Sequence, residues 1–433
     1  MTIRYFEGSA GTGKTTSVIA AVDKVLDASP LREGEKVLAL TFMHGARHRL
    51  TAKLAAVPSL QGRFDCQTID SFAWRLVRRW RSKAVQRWCE EAVAADNLDF
   101  ERNCQMASVL LEEGHVGRWV SKTYPLVVVD ESQDCRGGRL RMLVNLAAHA
   151  DILAAADAFQ DLTSDSECPA VDWLAKQANK LPLLTCHRTK KQGLLAGATA
   201  LRTNQPLVPG AGLMILGFPS PAMALHKIAA ELFFYGPVTI LTPTGRSKSP
   251  FVEEICSKLE EGPVHLKTLG KHVGPFRIRW ECSHEEEVQA LLQALSLPQG
   301  KGARVALPDL VSRGGAWGCR EIHDWAQQQV RLRGLRDFPV EEVVRESHRV
   351  MQRRRAHRRP TFSAHQAMTI HQAKNQEFHR VIVLWPYNVK GDDEHQRRLL
   401  YNAITRARDH ALVVVQNNPS KDDRLKRPPF TPA

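Results

Sequence analysis

Gly8-Ser9-Ala10-Gly11-Thr12-Gly13-Lys14-Thr15 decides the fold, because it follows the pattern G-x-x-x-x-G-K-[ST] and sits between the two elements that pattern needs. Residues 3–6 read as a short strand. From 16 to 26 the apolar Val18, Ile19, Val22, Val25 and Leu26 recur at helical spacing, so the order is strand, loop, helix. A glycine-rich turn that matched by accident would have no reason to carry both flanks. Glycines let the backbone turn tightly enough to aim N–H groups at phosphate oxygens, and the helix adds the positive end of its dipole. The residues expected to cradle a nucleotide are therefore Gly8, Ser9, Ala10, Gly11, Thr12, Gly13, Lys14, Thr15 and Thr16. Lys14 should reach the β and γ phosphates of ATP, and Thr15 should offer its hydroxyl to Mg²⁺.

A second signal is Leu126-Val127-Val128-Val129 followed by Asp130-Glu131. Continuous β-branched residues indicate a strand buried on both faces, as in a parallel sheet, and acids at its carboxyl end stand where such sheets bind ligands. Acids after a strand often only solvate a loop or open a helix. Paired with a phosphate loop, Asp130 is expected to hold the metal shell and Glu131 to act as general base.

A chain of 433 residues is too long for one ordinary core, so two domains are the natural expectation. Lys and Arg total 60 against 46 Asp and Glu, a net charge of +14 that suits a partner rich in phosphate. Nine cysteines are scattered with no metal-ligand spacing and no disulfide framework, and read as reduced thiols. The opening residues run into the first strand without a signal peptide, and no apolar stretch is long enough for a membrane span. The expected compartment is the cytoplasm, with no membrane partner.

The acids continue as Asp130-Glu131-Ser132-Gln133-Asp134, and this D-E-x-Q-D form resembles the UvrD/Rep family of superfamily 1 helicases. Further stretches resemble that family's motifs in its own order. Ala39-Leu40-Thr41-Phe42 matches motif Ia, Gln67-Thr68-Ile69-Asp70-Ser71-Phe72 motif Ib, Ala156-Asp157-Ala158-Phe159-Gln160 motif III, and Leu184-Thr185-Cys186-His187-Arg188 motif IV. Thr369-Ile370-His371-Gln372-Ala373-Lys374-Asn375-Gln376-Glu377-Phe378 resembles motif V, and Arg397-Arg398-Leu399-Leu400-Tyr401-Asn402-Ala403-Ile404-Thr405-Arg406-Ala407 resembles motif VI.

The resemblance implies an α/β fold of two RecA-like P-loop NTPase domains with parallel sheets and small, mainly helical insertions. The first domain is expected at 1–180 with an insertion at about 74–123, the second at 181–433 with an insertion at about 261–360. It implies that Gln160 senses the γ-phosphate, that Arg188 and Arg406 reach it from the second domain, and that His187 and Glu377 meet the base and sugar. Guanidinium groups suit this task because phosphoryl transfer spreads negative charge over equatorial oxygens. Thr41, Phe42, Thr68, Thr369 and His371 are placed beside DNA, with Phe42 the preferred base contact.

Four departures from the family pattern stand out. The segment that carries the family's adenine-reading glutamine is not part of this sequence, and His187 occupies the place of an adenine-stacking tyrosine. Thr163 and Asp165 fall where the family has an aromatic base platform, worth roughly 1–3 kcal/mol per stacked base. Asn375 replaces a glycine, and asparagine tolerates a left-handed turn better than most residues.

Trp74 to Trp88 read as one helix, with Phe72, Leu76, Val77 and Trp80 as the apolar stripe and arginines opposite. Arg353-Arg354-Arg355-Ala356-His357-Arg358-Arg359 is the densest charge run, either a solvated linker or a phosphate track. The leading reading is an ATP-dependent translocase or helicase moving 3′ to 5′ on single-stranded or tailed duplex DNA. The alternative is a nucleic-acid-gated ATPase switch that works with a partner nuclease or repair protein in phage defence or recombination, without processive unwinding. A binding module without catalysis would be expected to lack Lys14, Asp130, Glu131, Arg188 or Arg406, and all five are present.

Overall fold

A computed structural model describes residues 1–42, 44–89, 99–163, 168–267, 269–282, 284–300, 302–310, 318–357 and 365–432. The described residues form two compact units. One comprises 1–84, 101–281 and 362–433 and holds two six-stranded sheets; the other comprises 85–100 and 282–361.

The first sheet is built from β1 (Ile3–Gly8), β2 (Val37–Thr41), β3 (Phe64–Thr68), β4 (Leu126–Val129), β5 (Asp151–Ala156) and β6 (Asn179–Leu183), in the spatial order β3-β2-β4-β5-β1-β6. Every pairing is parallel. Val37, Ala39, Leu126, Val128, Leu153 and Ala155 face helix residues Val18, Val22, Leu26 and Leu50. Their sequence neighbours Leu38, Leu40, Val127 and Val129 point the other way and are equally buried. Burial on both faces is why these strands read as unbroken apolar runs rather than alternating ones.

Next come β7 (Leu213–Phe218), β8 (Thr239–Thr242), the antiparallel ribbon β9 (Val264–Leu266) with β10 (Lys271–Val273), and β11 (Ile278–Trp280). The other unit contains the ribbon β12 (Arg304–Ala306) with β13 (Asp337–Pro339), and the chain finishes with β14 (His365–Thr369), β15 (Phe378–Trp385) and β16 (Ala407–Gln416). The second sheet has the order β11-β14-β8-β15-β16-β7 and is again wholly parallel. Leu241, Val381, Val383 and Val413 fill one side, and Ile240, Ile382, Leu384, Leu412 and Val414 the other. The fold is α/β with two parallel sheets, as expected.

Some particulars differ from the sequence reading. β6 runs to Leu183, so the chain leaves the first sheet after that residue. Residues 264–280, expected in an insertion, supply β9 to β11, and Ile278 joins the core under the second sheet. The stretch expected as one helix is two, Ile69–Arg79 and Arg81–Trp88, parted at Trp80. Phe72, Leu76 and Val77 are buried as the stripe required. The opposite arginines are engaged: Arg75 pairs with Asp65 and Arg79 lies 4.5 Å over the Trp119 ring.

The smaller unit packs helices His284–Leu295, Cys319–Arg333 and Val340–His357 around Val288, Leu291, Leu295, Ile322, Ala326, Phe338, Val343 and Val350. Glu285, Glu286 and Glu287 crowd the first turn of its first helix, where the dipole favours negative charge. Arg353 of the basic run pairs with Glu346, and residues 358 and 359 lie outside the described residues. Among the described residues no helix is long and apolar enough to cross a membrane, and the nine cysteines are free thiols.

Candidate functional site

The carboxyl end of β1 becomes the phosphate loop. Gly11 and Gly13 hold φ of 80° and 79°, and Gly13 caps the helix Lys14–Ala28. Gly11 is required twice over, since a Cβ there would sit 2.6 Å from the Arg188 Cβ. Lys14 is buried and donates to the carbonyls of Gly8 at 2.9 Å and Ser9 at 3.2 Å. Thr12 donates to Ser9 O, Thr16 accepts from Lys53 at 3.0 Å, and His187 N donates to Gly11 O at 2.7 Å. The sequence reading brought His187 and Arg188 in from the second domain. Both stand on the segment between β6 and the helix Gln192–Arg202, against the phosphate loop.

Thr15 Oγ1 donates to Asp130 Oδ2 at 3.0 Å. Burial and the neighbouring Glu131 charge push the Asp130 carboxyl up to about 6. A hydroxyl and a carboxylate, both hard oxygen donors, with crowded negative charge that a cation would relieve, fit a Mg²⁺ ion that keeps most of its ligands as water and phosphate.

Glu131 holds φ 58°, ψ 44°, a left-handed conformation uncommon for a residue other than glycine and a mark of functional strain. Burial alone would raise its carboxyl. Lys14, Lys374, a hydrogen bond from Gln133 and Arg406 outweigh that and hold it below the ordinary range, so it is ionised. Gln133 donates to Glu131 Oε2 and accepts from Asp157 N at 3.1 Å, joining the ends of β4 and β5.

Asp134 makes a 2.5 Å ion pair with Lys374 from the segment after β14. Burial pushes its carboxyl up to about 6 against the pull of that ammonium. Between the ordinary carboxylate range and pH 6 the folded chain therefore keeps a proton the unfolded chain releases, and that stabilisation is lost as pH rises through 6. Above 6 the carboxylate depends on Lys374. Lys374→Gln should cost about 2 kcal/mol at pH 8, less than for a fully buried pair because some exposure remains. The cost should shrink toward pH 5, where protonation relieves Asp134. Thermal melts at both pH values check this, and an equal loss at both would contradict it.

Arg188 donates to Thr405 O at 2.7 Å and pairs with Glu377 at 2.8 Å, while Arg408 also pairs with Glu377. Burial would raise the Glu377 carboxyl, but Arg188 and Arg408 hold it low. Arg406 is 2% exposed, and its donors meet Asn402 O, Asn402 Oδ1 and Gln376 O. Burial and the nearby Arg188 lower it to about 10, still protonated at neutral pH. Gln160 is buried in the turn after β5. Asn375 has φ 65°, the left-handed turn expected where it replaces glycine.

Of the residues expected beside nucleic acid, Thr41 follows Leu40, whose carbonyl accepts from Asp130 N at 3.0 Å. Thr41 and Thr68 are only 1% and 4% exposed, and Thr68 caps the helix Ile69–Arg79 by accepting from Ser71 N. Phe42 is half-buried with the Arg139 guanidinium 5.8 Å over its ring, and Asp70 holds Arg139 at 2.8 Å. Thr369 Oγ1 bonds Gln372, and His371 is exposed. Thr369 is level with Thr242, and so with Leu384, six residues along β15 from Phe378. That separates it from the start of β15 and β16, where Glu377 and Arg406 sit, by about 20 Å. Thr163 bonds Asp161, and Asp165 lies outside the described residues.

The sequence reading gave no role to Gln133, Lys374, Tyr401 or Asn402, although each lies inside a quoted motif. Arg139 and Arg202 carried no signal at all.

A family model described as an AAA domain matches residues 1–212, and one described as a UvrD-like helicase C-terminal domain matches residues 366–414. The carboxyl-terminal match is to the UvrD-like helicases, and the two matches together support a UvrD-like helicase. The second match contains β14, β15 and the helix Asp393–Ile404, and so spans Lys374, Glu377 and Arg406. No curated protein matches. Among solved structures, the chain is similar to the arterivirus nonstructural protein 10 helicase at 12% identity and TM-score 0.41, covering 97% of this chain and 60% of that one. The same helicase in complex with DNA gives 11%, 0.39, 97% and 61%. This chain thus spans about 60% of the length of that helicase.

Proposed function

We propose that this chain hydrolyses ATP between its two parallel sheets and uses the cycle to move 3′ to 5′ along single-stranded DNA, as a compact helicase or translocase. The observation that carries the reading is the arginine cluster. Arg188 packs on Gly11 and hydrogen-bonds the backbone of Thr405, immediately before Arg406. Arg188 thereby links the phosphate loop to the segment that carries Arg406, whose charge acts on Glu131.

In this mechanism Lys14 and the loop amides hold the phosphates, and Thr15 and Asp130 would hold a Mg²⁺ ion that would neutralise phosphate charge. Glu131 accepts a proton from water as the water oxygen attacks the γ phosphorus, and the bond to the β–γ bridging oxygen breaks to release ADP. Arg188 and Arg406 stabilise the charge spread over the equatorial oxygens, and Gln160 reports the γ-phosphate to the rest of the chain. For Arg188 to turn to phosphate it must leave Glu377, an exchange of one anion for another. Phe42, Thr369 and His371 are the proposed nucleic-acid contacts.

Lys14→Ala should lower ATP turnover at least about a hundredfold, the scale of losing a positioned charge in a sheltered site. Turnover is measured with and without oligothymidylate, and with RNA of matched length. Strand displacement on duplexes tailed at either end tests movement. Hydrolysis unaffected by Lys14→Ala would refute the nucleotide site, whereas hydrolysis without displacement would leave an ATPase switch rather than a motor.

A further inference from the structure

The phosphate loop has a fourth-wall contact that the mechanism above does not use. Ala10 N, inside the loop, donates at 2.8 Å to the hydroxyl of Tyr401, a fully buried residue on the helix Asp393–Ile404. The same hydroxyl donates to Asp157 Oδ2 at 3.2 Å and accepts from Arg202 at 3.3 Å. A phenol offers one donor and two acceptor positions, so all three are filled. Burial and the Asp157 charge raise the phenol well above its ordinary range, so it stays protonated and able to donate.

Asp157 is a node in its own right. It accepts from Arg202 at 2.7 Å and from Phe159 N at 3.2 Å, and its Oδ2 lies 4.0 Å from the Lys14 ammonium. The Tyr401 ring packs edge-on against Phe159, with centroids 5.0 Å apart, and the Arg202 guanidinium covers both rings at 5.4 and 5.5 Å. Four elements therefore meet at one oxygen: the loop after β1, the end of β5, the helix Gln192–Arg202 and the helix that runs into Arg406.

We propose that Tyr401 is a positioning residue whose hydroxyl ties the conformation of the phosphate loop to the second sheet, so that engagement of nucleic acid is felt at the nucleotide. The inference rests on the motor reading above and adds the part that transmits. Tyr401 and Arg406 stand five residues apart at the end of one helix, so any shift of that helix moves the arginine and pulls on the Ala10 amide together. Without the hydroxyl the buried Ala10 N–H has no acceptor there, and the loop no longer follows the helix.

The test compares ATP turnover with and without oligothymidylate in the wild-type chain and in Tyr401→Phe, which keeps the ring packing. The expected result is a stimulation ratio at least about fivefold below wild type, with the KM for ATP moved less than about threefold. Arg202→Gln removes another arm of the same node and should lower the ratio in the same direction, which covers the case in which Tyr401→Phe fails to fold. A wild-type ratio in either soluble variant overturns the proposal, as does an equal fall of turnover with and without oligothymidylate, which marks a structural role. Absence of hydrolysis in the wild-type chain sinks the motor reading itself, and this inference with it.

Discussion

Glu131→Gln should bind ATP as tightly as the wild-type chain while its turnover falls by about a thousandfold, within the range a positioned general base contributes. The amide keeps the size of the carboxylate and its hydrogen bond with Gln133, but it has no lone pair basic enough to take a proton from water. Three features make the carboxylate the right group. Lys14, Lys374 and Arg406 keep it ionised despite burial, Gln133 fixes its rotation, and the left-handed backbone at φ 58° aims it away from the strand direction that Asp130 follows. Holding a non-glycine residue there costs about 1–3 kcal/mol, and such strain persists where the surroundings over-determine it. Equilibrium binding of a fluorescent ATP analogue and single-turnover hydrolysis separate the two effects. Turnover within about threefold of wild type would remove Glu131 as the base, and a parallel loss of binding would make it a structural residue.

What the sequence made legible follows the range of the interaction concerned. The phosphate loop and the strand before Asp130 are local patterns, in which spacing and β-branching state the backbone outright, and β4 has the predicted bounds. That there are two parallel sheets came from the family likeness, and their strand order from the structure alone, since no periodicity says that β1 lies between β5 and β6. Arg188 shows the limit. Its motif named the residue, but only pairing of residues 179–183 with β1 reveals that it arrives on the first sheet's trailing segment.

The same holds for the buried partners. Asp157, Arg202 and Tyr401 are far apart in the chain and meet through side chains alone, a contact that no spacing rule encodes. Thr68 fits a nucleic-acid motif and a helix cap equally well as a string of letters, and the structure uses it as a cap.

Arg406→Ala should lower kcat by about a thousandfold and move the KM for ATP by no more than about threefold. The size follows from arginine fingers in phosphoryl transfer, worth 10³–10⁵ in rate, taken at the low end because Arg188 stays in place. The split follows from timing: the charge that a finger answers develops on the equatorial oxygens only as the γ-phosphoryl leaves, so its loss is felt in the transition state more than in binding. The surroundings of Arg406 support that role. Its donors meet the Asn402 and Gln376 carbonyls and the Asn402 amide oxygen, neutral groups that orient the guanidinium without satisfying its charge. Asn402 is itself held the right way round, because its Nδ2 donates to Arg398 O. Burial and Arg188 make the cation less comfortable, lowering it to about 10, which sharpens its response to new negative charge. Arg406→Lys should not rescue turnover, since a point charge on a flexible stem cannot reproduce the planar fork that Asn402 positions. Steady-state kinetics on both variants, with melting curves to show that they fold, settle the matter. A rise in KM at constant kcat, or recovery with lysine, would make Arg406 a nucleotide-affinity residue and leave Arg188 as the only finger.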